Sequence, residues 1–336
     1  MPTASPYAGA VTVKGEIYEI LPASTYLYHP PTDTWTSKSS MPTVQYGFAV
    51  ATYQNMIYVF GGCSGFNPTS GYPINCTHAN KVYNPATDNW ENRAPMPTAR
   101  AEFQANVVND KIYLIGGTLP SGDISDASEV YDPSIDSWSA AAPIPTPVGL
   151  YASAVVNNKI YVEGGGESGL KISDLNQIYD PETNVWTLGE PLPAPIVWAA
   201  AASTSGVVVP ARLYVLGGTS DGINGVNTNR VYDPQSNSWT TGALMPTTHG
   251  ALTVAVANDT LYASGGTDNF PNPQTGNKAA NEQYFPPGYG ESSTSSTLSA
   301  MYIAVTIAVV VIIAVVAAFI IRRHRKRLRK IPQFID

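Results

Sequence analysis

A pair of adjacent glycines recurs five times along the chain, roughly every fifty residues: Gly61-Gly62, Gly116-Gly117, Gly164-Gly165, Gly217-Gly218 and Gly265-Gly266. Each pair follows an apolar residue and a tyrosine: Ile57-Tyr58, Ile112-Tyr113, Ile160-Tyr161, Leu213-Tyr214 and Leu261-Tyr262. After a variable loop comes a Tyr-Pro phrase such as Tyr131-Asp132-Pro133, Tyr179-Asp180-Pro181 or Tyr232-Asp233-Pro234. A tryptophan follows (Trp90, Trp138, Trp186, Trp239), then a proline turn such as Met96-Pro97-Thr98. Periods of this length mark repeat architectures. Within a unit, short β-rich runs such as 105–108 and 111–115 flank Asn109-Asp110, a polar break that signals a hairpin. One small antiparallel sheet cannot bury both faces alone, so neighbouring units must stack around a ring.

The ordered co-occurrence of diglycine, Tyr-Pro, tryptophan and proline turn resembles the kelch repeat over nearly all of residues 1–287. The resemblance implies an all-β, six-bladed β-propeller of four-stranded antiparallel blades, approximately 1–43, 44–98, 99–146, 147–194, 195–247 and 248–287. The Gly, Tyr and Trp signatures are expected to serve turns and packing between blades. The first unit is degenerate: Ile17-Tyr18 holds the apolar-Tyr slot, Leu21-Pro22 replaces the diglycine, and Trp35 remains. The last unit stops after Tyr284-Phe285-Pro286 without its tryptophan strand. That outer strand is expected to come from a segment ahead of Met1.

Charge is split along the chain. Seven of the 18 Lys and Arg residues (Arg322, Arg323, Arg325, Lys326, Arg327, Arg329 and Lys330) crowd a tail at 322–336, while 24 of the 25 acids lie upstream. An acidic domain with no basic stripe is a poor nucleic-acid ligand, because Lys and Arg supply most of that affinity. Before the tail, Ala300–Ile321 carries no charge and is long enough to cross a bilayer core of about 30 Å. Gly, Ser and Thr dominate the stalk at 288–299. The basic flank expects a cytoplasmic tail, available to anionic headgroups, and an extracellular or lumenal propeller. Met1–Ile20 shows no leader of basic residues followed by an apolar run. Met1 is therefore expected to be an internal start, with the signal peptide and missing strand ahead of it.

Cys63 and Cys76, the only cysteines, bracket an insertion in the second unit. A disulfide there would suit an oxidising compartment; the alternative is two unrelated thiols. Asn75 and Asn258 head glycosylation triplets. In kelch domains the ligand face is built from the loops after the diglycine and the turns between blades. Counting from the Met-Pro-Thr phrase, the variable turn position reads Ser5, Gln45, Arg100, Val148, Ile196 and His249, with Tyr46, Glu102, Tyr151 and Trp198 nearby. Exposed aromatics with an Arg between them have the composition of an interface hot spot, while Tyr151 and Trp198 could instead cap the ring. Glu163 stands where other units carry Ile20, Phe60, Ile115 or Leu216, and either meets a ligand in the central cavity or forms a local salt bridge.

Some kelch propellers are enzymes, notably a copper oxidase of galactose and a sialic-acid epimerase. Here the histidines are scattered over different units and the tail, and no nucleophile elbow, zinc spacing or phosphate loop is legible. The expectation is a non-enzymatic, membrane-tethered receptor or adhesion module that binds a protein or glycan, without metal or cofactor. A carbohydrate-active enzyme with a central-pocket site, and a cytosol-facing adaptor tethered to an organelle, are the alternatives.

Overall fold

A computed structural model describes residues 1–3, 5–67, 73–268 and 277–289. Met1–Pro287 forms one compact unit. The expected span at 300–321 and basic tail at 322–336 lie outside the described residues, as does most of the stalk. No helix among the described residues is long and apolar enough to cross a membrane.

Six antiparallel sheets follow one another in chain order. Blade 3 shows the pattern: Gln104–Val108, Lys111–Ile115, Ser128–Asp132 and Ser137–Ala140 pair consecutively from inner to outer edge. The inner strands Gly9–Val13, Ala49–Tyr53, Gln104–Val108, Ala152–Val156, Ala200–Ser203 and Gly250–Ala257 each touch the next, and the sixth touches the first. Inner hairpins turn on Gln54-Asn55, Asn109-Asp110, Asn157-Asn158 and Asn258-Asp259, every one of these residues at positive φ. Two consecutive left-handed residues match the right-handed twist of the strands they join. Blade 5 replaces this turn with a longer loop. Asp259 of blade 6 holds that loop by accepting hydrogen bonds from Ser205 N (2.7 Å) and Val208 N (3.1 Å).

Tyrosine packing repeats at all six junctions. The second-strand tyrosine of each blade meets the third-strand tyrosine of the next: Tyr18–Tyr83, Tyr58–Tyr131, Tyr113–Tyr179, Tyr161–Tyr232, Tyr214–Tyr284 and Tyr262–Tyr28, with ring centroids 5.7–6.1 Å apart. The last pair joins blade 6 to blade 1 and closes the ring.

A second device clips four of the junctions from outside. Trp90, Trp138, Trp186 and Trp239 donate their indole N–H to the carbonyls of Ser39, Ala94, Ala142 and Glu190 in the preceding blade, at 2.9–3.0 Å. The N–H of each of those residues returns a bond of 2.8–2.9 Å to Oδ1 of Asp88, Asp136, Asn184 or Asn237. That oxygen also accepts the hydroxyl of the tyrosine five residues earlier, as in Tyr131–Asp136 at 2.6 Å.

Blade 6 has three strands among the described residues, so the junctions on either side of it lack the clip partners. The N-terminal residues Met1 and Ser5 stand at the junction of blade 6 with blade 1, in the place that the turns between blades hold at the other junctions. The Met1 amino group donates to the Ala279 carbonyl (3.3 Å), and Gly266 N donates to the Ser5 carbonyl (3.1 Å).

Replacing Asp136 with alanine strips the acceptor from Tyr131 and Ala94 together and is expected to lower stability by about 1–3 kcal/mol. Asp136→Asn, the arrangement already present at Asn184 and Asn237, should cost less. Urea unfolding of both variants checks this; two equal losses would show that the shared acceptor contributes nothing.

Candidate functional site

The diglycines shape one end of the ring. At Gly61, Gly116, Gly164, Gly217 and Gly265 φ is +58° to +68°, and a Cβ would stand 2.2–2.8 Å from a carbonyl of the following turn. Those carbonyls belong to Arg100, Val148, Ile196, His249 and Ser5, the aligned variable position. The second glycine donates its N–H to the same oxygen, at 2.8–3.1 Å. Only glycine meets both demands, a left-handed backbone and a bare Cα against a neighbouring peptide. In blade 1 the second position is Pro22, which has no N–H to give to the Gln45 carbonyl.

This bond draws the variable side chains into the junctions, away from the ligand face where Gln45, Arg100 and His249 were expected. Arg100 is fully buried, with Nη1 2.5 Å from Glu129 Oε2 and Nη2 bonded to the Leu114 carbonyl at 3.2 Å. Gln45 accepts from Lys81 Nζ (3.1 Å) and donates to Thr77 Oγ1 (2.8 Å). His249 Nδ1 meets the Gly265 carbonyl at 2.8 Å. Tyr151 is also buried; its hydroxyl donates to the Ile115 carbonyl (2.5 Å) and accepts from Gln104 N (3.1 Å).

What faces the axis is the residue two positions further on. Tyr7, Gly47, Glu102, Leu150, Trp198 and Ala251 all have φ between +49° and +65°. Glu102 N donates to the Gly47 carbonyl, Leu150 N to Glu102, Trp198 N to Leu150 and Ala251 N to Trp198, at 2.7–2.9 Å. These backbone hydrogen bonds link one blade to the next across the end of the channel. Left-handed backbone at a residue with a side chain costs about 1–2 kcal/mol, and such strain concentrates where a site is being shaped. Of the expected face residues, Glu102 and Trp198 belong to this ring and Tyr46 lies beside it, within 6.4 Å of Tyr7. Tyr7 and Leu150 were missed, although the same repeat alignment extended by two positions would have found them.

Above the ring opens a vestibule of about 460 Å³ walled by Ile124, Leu150, Leu170, Ile172, Trp198 and Glu102. Below it the central channel, about 380 Å³, is lined by inner-strand side chains including Thr12, Asn106, Ser153 and Ser203. Cys63 and Cys76 form a disulfide across the inserted hairpin Cys63–Phe66/Pro73–Cys76, and Phe66 from that hairpin packs on Tyr7 at 5.2 Å. Asn75 and Asn258 are both exposed. Among the described residues no three His, Cys, Asp or Glu side chains are grouped to hold a metal ion.

Glu163 lies elsewhere than the central cavity, and forms no salt bridge among the described residues. It shares a strand face with Tyr161, which packs on Tyr232 of blade 5, so its carboxyl enters the junction between blades 4 and 5. It is fully buried, and neither oxygen has a hydrogen-bond partner. Burial pushes it well above the usual carboxylate range. Burial likewise raises Glu19, which accepts a hydrogen bond from Ser264, to about 7, and Glu102 to about 7.

Acids raised in the folded state stay protonated there while the unfolded chain ionises. Their stabilisation is complete below about pH 4.5 and is lost as pH rises through the folded values. Stability is therefore expected to fall between pH 5 and 8, and Glu163→Gln should flatten part of that fall. Denaturant midpoints across this range decide it; an unchanged slope in the variant would place Glu163 in its ordinary ionised state.

Residues 9–195 match the family model described as the KLHDC2/KLHL20/DRC7 Kelch-repeats domain, and residues 200–246 match a Kelch motif. Kelch-like protein 36 of Bos taurus is 35% identical over 97 residues, 29% of this chain and 15% of that protein. Beta-scruin of Limulus polyphemus is 36% identical over 105 residues, 31% of this chain and 11% of its own length. The chain thus spans only a small part of these curated relatives. The solved structure of YjhT shares the fold, with a TM-score of 0.72 at 16% identity over 86% of this chain and 97% of that one. With more than half its length matched by one kelch-repeat model and its junctions built on the repeat's own glycines, tyrosines and tryptophans, the chain belongs to the kelch-repeat β-propeller family.

Proposed function

We propose that this protein is a non-enzymatic, membrane-tethered binding module that holds a protein partner in the vestibule above the ring. The carrying observation is the vestibule itself. It is a concavity whose walls join apolar side chains, among them Leu150, Leu170, Ile172 and the single aromatic Trp198, to polar and charged groups such as Glu102, Glu167 and Lys171, a mixture suited to recognition. At its edge Leu170 is 88% exposed, and Ile223 in the neighbouring loop is 54% exposed.

The tether follows from Ala300–Ile321, which carries no charge, and from the basic cluster after it. That polarity puts the propeller on the extracellular or lumenal side, where a disulfide such as Cys63–Cys76 persists. The basic tail then faces the cytoplasm, where its cations meet anionic lipid headgroups.

Protease treatment of sealed vesicles should leave the propeller intact until detergent is added; cleavage without detergent would reverse the orientation. On the same cells, a photo-crosslinker at position 170 should yield a partner adduct that Trp198→Ala abolishes, while one at Ile135, a 69%-exposed residue in an outer hairpin, should yield none. Equal adducts from both positions would remove the vestibule from the binding face.

A further inference from the structure

Between the ring and the central channel lies a small cavity of about 80 Å³. Its walls include Tyr7, Phe48, Phe103, Tyr151 and Trp198, and its one carboxyl belongs to Glu102. Tyr7 and Trp198 approach across Ala251, their ring centroids 5.6 Å apart. Glu102, Leu150 and Trp198 line both this cavity and the vestibule, so the two adjoin across these three side chains.

The electrostatics of the pocket are one-sided. Glu102 accepts a hydrogen bond from Thr118 Oγ1 at Oε2 (2.7 Å), and no Lys or Arg acts on it among the described residues. The nearby guanidinium of Arg100, 4.9 Å from the Phe103 centroid, is already engaged by Glu129. Around the vestibule, Lys171 is paired with Glu167 at 2.9 Å, and Asp221 adds a further negative charge. A carboxylate enclosed by aromatic walls without a counter-ion is costly to ionise. A cation entering there would restore that lost solvation and would also be attracted by the π faces of the rings.

We infer that this pocket receives a primary ammonium group of the partner, from a lysine side chain or a free chain N-terminus, held between the Glu102 carboxylate and the faces of Tyr7 and Trp198. The inference rests on the reading of the vestibule as the binding face and names the chemistry that face selects. Glu102 must ionise to pair with the ammonium, so binding releases a proton and weakens in acid. The other ionisable groups facing this carboxyl are Tyr7 and Tyr151, whose hydroxyls burial keeps protonated, the Arg100–Glu129 pair, and the vestibule residues Glu167, Lys171 and Asp221. The phenols do not titrate between pH 6 and 8, whereas Glu102, raised to about 7, does.

The test uses the full chain in zwitterionic lipid nanodiscs and calorimetric titration at pH 8. Four peptide amides serve as probes: acetylated glycine carrying one lysine, the same with arginine, unacetylated glycine, and acetylated glycine as the blank. Saturable binding is expected from the lysine peptide or the free-amine peptide, and which of them binds identifies the source of the ammonium. Glu102→Gln, nearly isosteric, should weaken that binding about tenfold while thermal unfolding remains cooperative. Wild-type affinity for the lysine peptide should fall about tenfold from pH 8 to pH 6, and for the free-amine peptide by less because its own amine gains a proton over that range; the variant should lose the Glu102-dependent fall. No binding above the blank, an arginine peptide bound as tightly as the lysine one, or a Glu102→Gln variant equal to wild type would overturn the inference. If the amines fail while the crosslinker at position 170 still captures a partner, only the ammonium assignment falls. Amine binding with no adduct at position 170 would instead keep the pocket and remove the protein-partner reading.

Discussion

The hydrogen bond from each diglycine to the next blade's turn is the contact on which the rest of this molecule depends. A blade is a sheet too small to bury both faces, so stability comes from the junctions, and the junctions exist only if successive blades meet at a fixed height and angle. The glycine N–H sets the height at the axis end, while the indole N–H and the Asp or Asn acceptor set it at the rim. At the three junctions that carry both anchors the tyrosine pair is fixed from each end, at the other three from one end, and the six pairs together complete the ring.

The same bond decides which side chains reach a ligand. By taking the carbonyl of the variable turn residue, it turns that residue inward and forces the chain to recover within two positions. The recovery is the left-handed residue that bonds its neighbour across the channel mouth. Five of the six ring residues pay for a conformation that favours glycine, and the return is a rigid collar carrying Tyr7, Glu102, Leu150 and Trp198 at the floor of the vestibule. Across the small Ala251 the rings of Tyr7 and Trp198 come within 5.6 Å, while the bare Cα of Gly47 leaves room for Glu102. Site and scaffold are therefore one hydrogen-bond network.

Much of this was legible beforehand. The diglycine period, the tyrosines and tryptophans, and the degenerate first unit led to a six-membered ring and to the aligned turn positions Ser5, Arg100, Val148, Ile196 and His249. These side chains were expected on the ligand face because the kelch resemblance puts the turns between blades there, whereas Arg100, Val148, Ile196 and His249 are buried in the junctions. Burial of Arg100 depends on Glu129, a partner 29 residues away on another strand, and no local pattern announces that pairing. Asp136 and Asn184 read as ordinary turn residues; their second role, accepting a neighbouring blade's N–H, appears only when two blades stand side by side. Glu163 breaks the apolar pattern of its strand, yet its isolation in a blade junction cannot be inferred from spacing.

By itself the sequence determined the repeat, the blade count, the hairpin turns and the residues able to close them, because these rest on backbone rules that act within one unit. Left-handed turns need Gly, Asn or Asp, and a close backbone approach needs a bare Cα. The tertiary structure alone decided which member of each turn is buried and which faces the axis, how the incomplete sixth blade meets the first, and that Tyr7, Glu102 and Trp198 share one pocket. Those outcomes are set by contacts between units tens to hundreds of residues apart, where the neighbour's carbonyls and rings, rather than a residue's own polarity, determine what it touches.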